Sequence, residues 1–260
     1  MFLDRIVNSV KVRLEGKKAE LPLLNIRKMA LNAPQICDYP FEKALRTDGI
    51  AFICEVKKAS PSKGVISHDF PYMQIAIDYM TGGAAAVSVL TEPEYFLGND
   101  KYLREISDAL PIPTLRKDFI IDAYQIYEAK ALGASAILLI AEILEEKALR
   151  EYISIAHGLG LSVLAESHSL PQMEKAIAAG ARVIGVNNRN LETFEVDINT
   201  SIRLRSKAPE GLIFVSESGI TNADDITMLK DNRVNAVLIG ETLMRSADRV
   251  KALEALRRAG

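Results

Sequence analysis

The sequence contains no tryptophan, only two cysteines and only three histidines among its 260 residues. Cys37 and Cys54 are far apart and lack the spacing of a ligand pair, so the sequence predicts neither a disulfide framework nor a zinc site. His68, His157 and His168 share no metal-ligand spacing either, and we interpret them as surface or loop residues without a chemical role. With so few cysteines, a reducing cytoplasmic location is the simplest expectation, and no metal is expected.

An excess of basic charge is also absent, because 32 Lys and Arg residues are balanced by 34 Asp and Glu residues. Nucleic-acid binding depends on clustered positive charge, so no nucleic-acid partner is expected. The longest notable apolar run, residues 134–141, is far shorter than the roughly 20 residues that cross a bilayer, and the N-terminus lacks the layout of a signal peptide. These absences, with a hydrophobic content of 48%, leave a soluble globular protein without a membrane partner.

Short β-branched segments alternate with amphipathic helical segments along most of the chain. Eight segments have the composition of buried strands: 50–56, 85–90, 112–117, 136–141, 161–166, 183–187, 212–216 and 236–240. Helical segments between them stop at glycines, as in 123–132 before Gly133 and 170–179 before Gly180. Strands that alternate with helices predict right-handed βαβ units, and eight such units close an α/β (β/α)8 barrel.

An open, doubly wound sheet is the alternative fold. It usually carries a Gly-rich phosphate turn after its first strand, whereas no G-x-G-x-x-G motif occurs in this sequence. The first 49 residues lie outside the repeat and show helical spacing broken by Pro22 and Pro34, which predicts an N-terminal helical extension that covers one end of the barrel. We therefore predict a single domain, residues 1–260, made of an extension (1–49) and a barrel (50–260).

Charged and polar side chains recur at the carboxyl ends of the predicted strands. Glu55 and Lys57 end the first strand, and the alternation of side chains places both on one face. The other strand-end residues of this kind are Lys117, Glu166, Asn187, Arg189, Glu217 and Ser218. These ends converge on one rim of a barrel, where active sites are built. A purely structural ion-pair network is the alternative, but it would contribute little net stability.

Two further carboxylates, Glu92 and Glu142, follow the second and fourth predicted strands. A carboxylate in this position can equally cap the next helix, so both interpretations stay open. Cys54 alternates away from the rim side chains, and we predict a thiol packed against the helical layer.

Five motifs carry a resemblance to a known family. They are EVKKASPSKG (55–64), LRKDFI (115–120), GVNNRNL (185–191), SESGI (216–220) and LIG (238–240). Together, and in this order, they resemble the indole-3-glycerol phosphate synthases of tryptophan biosynthesis, and the match runs from the extension to the last helix. The resemblance implies ring closure of 1-(2-carboxyphenylamino)-1-deoxyribulose 5-phosphate with loss of carbon dioxide and water, catalysed without metal or other cofactor.

The resemblance also implies roles for the rim residues. Lys117 is expected to be the general acid near the substrate carbonyl, and Glu166 the base of the dehydration or the partner of that base. Lys57 is expected to contact the substrate carboxylate and to share the acid work with Lys117. The other expected catalytic or substrate-contacting polar residues are Glu55, Asn187, Glu217, Ser218, Arg189 and Ser60.

The phosphate and the anthranilate ring of such a substrate each need a binding region. Loops after the seventh and eighth strands of a barrel commonly hold phosphate, and glycines there permit close backbone approach. The expected phosphate-binding residues are Gly219, Gly240, Glu241, Ser60 and Lys57. The expected apolar residues around the ring are Phe96, Phe119, Leu138 and Leu191, although apolar residues at strand ends are as often simply part of the core.

Three other functions are compatible with a barrel that binds a phosphosugar. A phosphoribosylanthranilate isomerase would use a Cys and Asp pair, but neither cysteine here ends a strand on the rim side. A Schiff-base aldolase would also place a lysine in the barrel mouth. A non-catalytic phosphate-ligand binder would need neither lysine. The expected partner in each case is a small molecule, and the chain is expected to be a monomer or a weak homo-oligomer.

Overall fold

The computed structural model describes residues 2–190 and 192–260, and in this part of the chain eight parallel strands close into a barrel. The strands are β1 (Ala51–Val56), β2 (Ala86–Leu90), β3 (Thr114–Lys117), β4 (Ala136–Ile140), β5 (Ser162–Ser167), β6 (Val183–Asn187), β7 (Ile213–Glu217) and β8 (Ala236–Ile239). Each strand pairs with its neighbours in the sequence, and β1 pairs with β8 to close the sheet. The predicted (β/α)8 barrel is confirmed. Every strand begins and ends within two residues of the predicted positions.

Helices cover the outside of this barrel. Three precede it, α1 (Phe2–Glu20), α2 (Leu23–Asn32) and α3 (Pro40–Ala44). The others are α4 (Tyr72–Thr81), α5 (Asp100–Ala109), α6 (Ala123–Ala131), α7 (Glu146–Gly158), α8 (Leu170–Ala178), α9 (Asn199–Arg205), α10 (Ala223–Asp231), α11 (Glu241–Met244) and α12 (Arg249–Arg257). As predicted, Gly133 and Gly180 follow α6 and α8, and their positive φ angles of +87° and +97° are conformations that end a helix. Within the described residues, no helix has both the length and the apolar character needed to traverse a bilayer.

The alternation of side chains along each strand divides the core into two layers. On β1, Ala51 and Ile53 point into the barrel, whereas Cys54 and Val56 pack against the surrounding helices. Cys54 is fully buried, and this burial raises the pKa of its thiol, so the predicted packed thiol is confirmed. The next inward-pointing residue after Ile53 is Glu55, and the barrel interior therefore changes from apolar to charged as it approaches the carboxyl ends of the strands.

The N-terminal extension covers both ends of the barrel, not the single end predicted. Phe41 of α3 and the adjacent Leu45 are buried against the residues that begin the strands, and they close the amino end. Helix α1 instead lies across the carboxyl end, while α2 packs on α6 along the side. The five-residue α3 was missed because so short a segment has no readable periodicity.

Candidate active site

A cleft of about 750 Å³ opens at the carboxyl ends of the strands. Its lining includes these predicted site residues: Glu55, Lys57, Ser60, Phe96, Lys117, Phe119, Leu138, Glu166, Asn187, Arg189, Glu217, Ser218, Gly219, Gly240 and Glu241. Leu191, the other predicted residue, lies outside the described part of the chain. The closed barrel thus brings together side chains that are up to almost 190 positions apart in sequence.

Lys117 lies at the centre of the cleft between two carboxylates. Its Nζ is 3.0 Å from Oε2 of Glu166 and 3.5 Å from Oε2 of Glu217. Asn187 Nδ2 donates a hydrogen bond of 3.3 Å to the other oxygen of Glu166. The four side chains come from β3, β5, β6 and β7, and only 14% of the Lys117 side chain is exposed. A single ammonium group is therefore held at the floor of the cleft by strands from different parts of the barrel.

These neighbours set the charge of each group. Burial on its own would lower the pKa of Lys117, but the nearby carboxylates of Glu166 and Glu217 raise that pKa well above its ordinary value. Burial would raise the pKa of Glu166, yet Lys117, His168 and the hydrogen bond from Asn187 together outweigh burial and lower that pKa. For Glu217, burial and then the Glu166 charge raise the pKa to about 8. The ion pair of Lys117 and Glu166 therefore lies beside a Glu217 carboxyl group that binds a proton more tightly than an ordinary glutamate does.

Gly185 on β6 makes room for Glu217. A Cβ atom at this position would overlap Oε1 of Glu217 and would lie 3.1 Å from Cδ1 of Leu164. The position of the buried Glu217 carboxyl group therefore requires that residue 185 on the neighbouring strand has no side chain.

A second lysine and carboxylate pair lies at the end of β1. Lys57 Nζ donates a short hydrogen bond to Oε2 of Glu55, and both side chains are largely buried. Gly240, which follows β8, approaches this pair so closely that a Cβ atom there would be 2.6 Å from Glu55 Oε2 and 2.9 Å from Lys57 Nζ. Lys57 is thus a second lysine of the cleft that is held by a carboxylate, in addition to Lys117.

The loops after β7 and β8 form the end of the cleft that was expected to bind phosphate. Ser218 and Gly219 both have positive φ angles, +66° and +83°. The Glu241 carboxylate lies 3.7 Å from Lys63, 3.9 Å from Arg189 and 3.1 Å from Arg245. The Glu241 side chain therefore gathers three cationic side chains at this end of the cleft.

One wall of the cleft is apolar. The rings of Phe96 and Phe119 lie 6.0 Å apart, and Phe2, Leu3 and Ile6 of α1 complete this lining. The part played by α1 was missed at the sequence level. The spacing of its apolar residues identified a helix, but it did not indicate which surface that helix would cover.

Glu92 and Glu142 lie outside the lining of the cleft. Glu92 is fully buried, accepts hydrogen bonds from the backbone N–H groups of residues 94–96 and pairs with Arg13 at 3.2 Å. It therefore organises the loop after β2 and does not cap the next helix, because Asn99 is the N-cap of α5. Glu142 faces His168, with its Oε2 atom 3.4 Å from Nδ1 of the histidine.

The sequence pattern did not reveal that His168 lies beside the cleft residue Glu166. It does lie in a loop, directly after β5, but its ring is only 14% exposed, and Nε2 is 3.7 Å from Oε1 of Glu166. The available signal was its position two residues after Glu166.

His157 is half-buried, and burial with the nearby Arg182 lowers its pKa to about 4, whereas His68 is exposed as predicted. Across residues 2–190 and 192–260, no group of three or more His, Cys, Asp or Glu side chains is placed to hold a metal ion.

Solved structures with a similar backbone share the fold. The chain matches 3-hexulose-6-phosphate synthase from Salmonella typhimurium with a TM-score of 0.67 and 14% identity, over 81% of this chain and 98% of that one. It also matches thiamine phosphate pyrophosphorylase from Pyrococcus furiosus with a TM-score of 0.58 and 19% identity, over 81% and 94% of the two chains. At such low identity, these likenesses show the barrel fold alone.

Sequence relatives are far more similar and span the whole chain. The model of the family "Indole-3-glycerol phosphate synthase" matches residues 3–256. An indole-3-glycerol phosphate synthase from Ruminiclostridium cellulolyticum is 53% identical over 99% of both chains. One from Endomicrobium trichonymphae is 52% identical over 99% of this chain and 100% of its own. The chain therefore belongs to the indole-3-glycerol phosphate synthase family, which confirms the function in tryptophan biosynthesis expected from its motifs.

Proposed function

We propose that the cleft closes the indole ring of 1-(2-carboxyphenylamino)-1-deoxyribulose 5-phosphate through the residues described above. The observation that carries this proposal is the protonated Lys117, held 3.0 Å from Glu166 and 3.5 Å from Glu217 on the floor of a partly apolar cleft. An ammonium group in this position can donate a proton to a carbonyl oxygen as the new carbon–carbon bond forms.

Lys117 acts as an acid in this proposal rather than as a nucleophile. Attack on a carbonyl to form a Schiff base requires a neutral amine, and such lysines have lowered pKa values. The carboxylates around Lys117 instead raise its pKa. This charge state favours ring closure over the Schiff-base aldolase alternative.

Lys57 is the cation for the substrate carboxylate and shares the acid work in dehydration. Its hydrogen bond to Glu55 fixes the position of the ammonium group, and Gly240 allows this pair to lie close to β8. When carbon dioxide leaves, the charge that Lys57 neutralised is lost, so its attraction for the reacting molecule weakens after that step.

Glu166 is the base that accepts a proton in dehydration. Its pKa is lowered by Lys117, so it is ionised when the substrate arrives, and Asn187 holds its other oxygen at 3.3 Å. Protonated Glu217 donates hydrogen bonds, either to Glu166 or to a substrate hydroxyl.

Substrate binding uses the two ends of the cleft. The phosphate is bound by backbone N–H groups around Gly219 and Gly240, with Ser60, Lys57, Ser218 and Arg189 nearby. The anthranilate ring packs between Phe96, Phe119 and Leu138. Leu191, expected beside them, belongs to this proposal on sequence grounds alone.

Every group in this mechanism comes from one chain, so a monomer is sufficient for catalysis. The extension (1–49) and the barrel (50–260) act as a single domain, because α1 supplies part of the cleft wall and α3 closes the opposite end.

Cys37 and Cys54 are both free thiols, which fits a reducing, cytoplasmic compartment.

The test is turnover of the carboxyphenylamino-deoxyribulose phosphate by purified protein without added metal or cofactor. The chain has no tryptophan, so fluorescence of the indole product rises over a low protein background. We expect indole-3-glycerol phosphate and carbon dioxide in equal amounts. A folded protein that releases neither product would contradict the proposal, and trapping of substrate on a lysine by borohydride would favour an aldolase instead.

A further inference from the structure

The proposed ring closure takes up one proton in every turnover. The substrate carboxylate leaves as neutral carbon dioxide, and the carbonyl oxygen leaves as water, so the balance is substrate plus one proton giving product, carbon dioxide and water. Two protons are donated in each cycle, one to the carbonyl oxygen and one to the departing hydroxyl group, and Glu166 takes back only one of them in dehydration. One further proton must still enter from solvent before the next cycle.

A series of polar side chains beside the cleft connects Glu166 with solvent. Oε2 of Glu166 faces Lys117, whereas Oε1 faces Asn187 and the Nε2 atom of His168, the latter at 3.7 Å. On the other side of the imidazole ring, Nδ1 lies 3.4 Å from Oε2 of Glu142. The Glu142 side chain is 35% exposed, so the series begins in solvent and ends at a buried carboxylate.

His168 is held in place for this role. Gln172 accepts a 2.7 Å hydrogen bond from the backbone N–H of His168 and donates one of 3.4 Å to Glu142. Both ring nitrogens are buried and have no hydrogen-bond partner among the described residues. The groups that face the ring are Glu166 from β5, Glu142 from the loop after β4 and the uncharged Gln172 from α8. Neither His168 nor Glu142 lines the cleft, so a substrate bound there leaves them free.

We propose that Glu142, His168 and Glu166 form a proton relay that reprotonates Lys117 from solvent at the rim of the barrel, beside the cleft. The relay rests on the proposed function, since it serves the proton demand of ring closure. Protonated Glu142 gives its proton to His168 at one ring nitrogen while the other gives one to Glu166. The Glu166 carboxyl group, protonated at Oε1, then rotates so that this oxygen faces Lys117, passes the proton to the neutral amine and is left as a carboxylate. Each transfer needs the ring to move by about 1 Å or less to reach hydrogen-bond distance.

The decisive experiment compares His168→Asn and Glu142→Gln with the control His68→Asn, which removes an exposed histidine. We expect His168→Asn to lower kcat roughly ten- to a hundredfold with little change in KM, because binding does not involve the ring. The loss of kcat relative to the wild type becomes larger as pH rises, because free protons become scarcer. Added imidazole buffer restores part of the rate in proportion to its concentration, whereas the wild type is insensitive to buffer. Glu142→Gln shows the same pattern with a smaller loss.

Wild-type turnover in the same assay tests the proposed function separately. A folded His168→Asn protein with wild-type kcat and no response to buffer would overturn the relay and leave the ring closure intact. If His168→Asn does not fold, as judged by circular dichroism, Glu142→Gln decides the question, because this half-exposed carboxylate can be replaced without opening the core. An unchanged kcat and pH profile in Glu142→Gln would then exclude the relay.

Discussion

Arg116 and Lys117 are consecutive residues of β3, yet their side chains enter two different clusters of buried charge. Arg116 points outward between the barrel and its helices, and Lys117 points inward to the cleft. Both are cations beside three acidic side chains, and all of these acids except Asp118, which directly follows β3, come from other elements. The two clusters differ in how completely their polar groups are satisfied.

The outer cluster is saturated with hydrogen bonds. The Arg116 guanidinium, 1% exposed, lies 2.6 Å from Glu128, 2.9 Å from Asp100 and 3.4 Å from Asp118. It also donates to the carbonyl oxygen of Gln125 and to Thr91 Oγ1. From α1, Lys17 and Arg13 reach the same carboxylates: Lys17 Nζ lies 2.5 Å from Asp100 and Arg13 lies 3.0 Å from Asp118. This cluster fastens α1 and the first half of the barrel to each other.

The inner cluster, in contrast, leaves some of its polar groups without hydrogen-bond partners among the described residues. Oε1 of Glu217 is buried and has no hydrogen-bond partner in the described part of the chain. Lys117 has two carboxylates beside it but faces an open cleft on its remaining side. Buried polar groups that are fully paired rigidify a fold, and groups left partly unpaired are available for chemistry. The following predictions test this division, from the largest expected effect to the smallest.

Lys117→Ala is expected to lower kcat by roughly 10²- to 10⁴-fold, because it removes the proposed proton donor. KM changes far less, since the phosphate and the aromatic ring retain their contacts. Steady-state kinetics by indole fluorescence measures both constants. A variant with normal kcat and raised KM would assign Lys117 to binding instead.

Arg116→Met is expected to destabilise the fold by roughly 3–5 kcal/mol, because three largely buried carboxylates lose the guanidinium group that they share and keep only the partly exposed Lys17 and Arg13 as cations. Urea unfolding gives the free energy directly. Arg150→Met is the matched control, since Arg150 forms an exposed pair with Glu146 at 2.7 Å, and such pairs contribute about 1 kcal/mol or less. Equal stability of the two variants would contradict the structural role of the outer cluster.

Gly185→Ala is expected to reduce kcat about tenfold and to cost about 1–3 kcal/mol of stability, because the new methyl group overlaps Glu217. Gly158→Ala tests glycine replacement alone, as a Cβ atom there would meet nothing within 4 Å. If the two variants have the same activity, the position of Glu217 is not important for turnover.

Glu217→Gln is expected to change kcat least, because the amide resembles the neutral acid present at pH 7. The informative measurement is stability against pH. The pKa of Glu217 is raised from 4.5 to about 8, so its contribution to stability is complete below pH 4.5 and is lost as pH rises to about 8. The free energy of unfolding of Glu217→Gln does not show this decline. The difference between variant and wild type therefore shifts in favour of the variant as pH rises from 4.5 to about 8. Parallel curves would show that Glu217 is ionised in the folded protein.

Much of the fold and of the site could be predicted because barrels follow simple periodic rules. Alternation on β1 placed Ile53 inside and Cys54 outside, and strand ends converge on one rim in any barrel. Glu55 and Lys117 could be placed together on this basis although they are distant in sequence. The same rules did not identify His168, since its two carboxylate neighbours come from different strand ends and no periodicity relates them.

The sequence by itself determined the eight-stranded barrel, the rim residues and the family, because each depends on local periodicity or on short motifs. Only the tertiary structure decided that α1 and α3 cover opposite ends of the barrel. It also decided that nearby carboxylates raise the pKa of Lys117, that burial raises the pKa of Glu217, and that His168 lies between two carboxylates. A pKa depends on burial and on charges within a few ångströms, and those neighbours come from distant segments that meet only when the barrel closes.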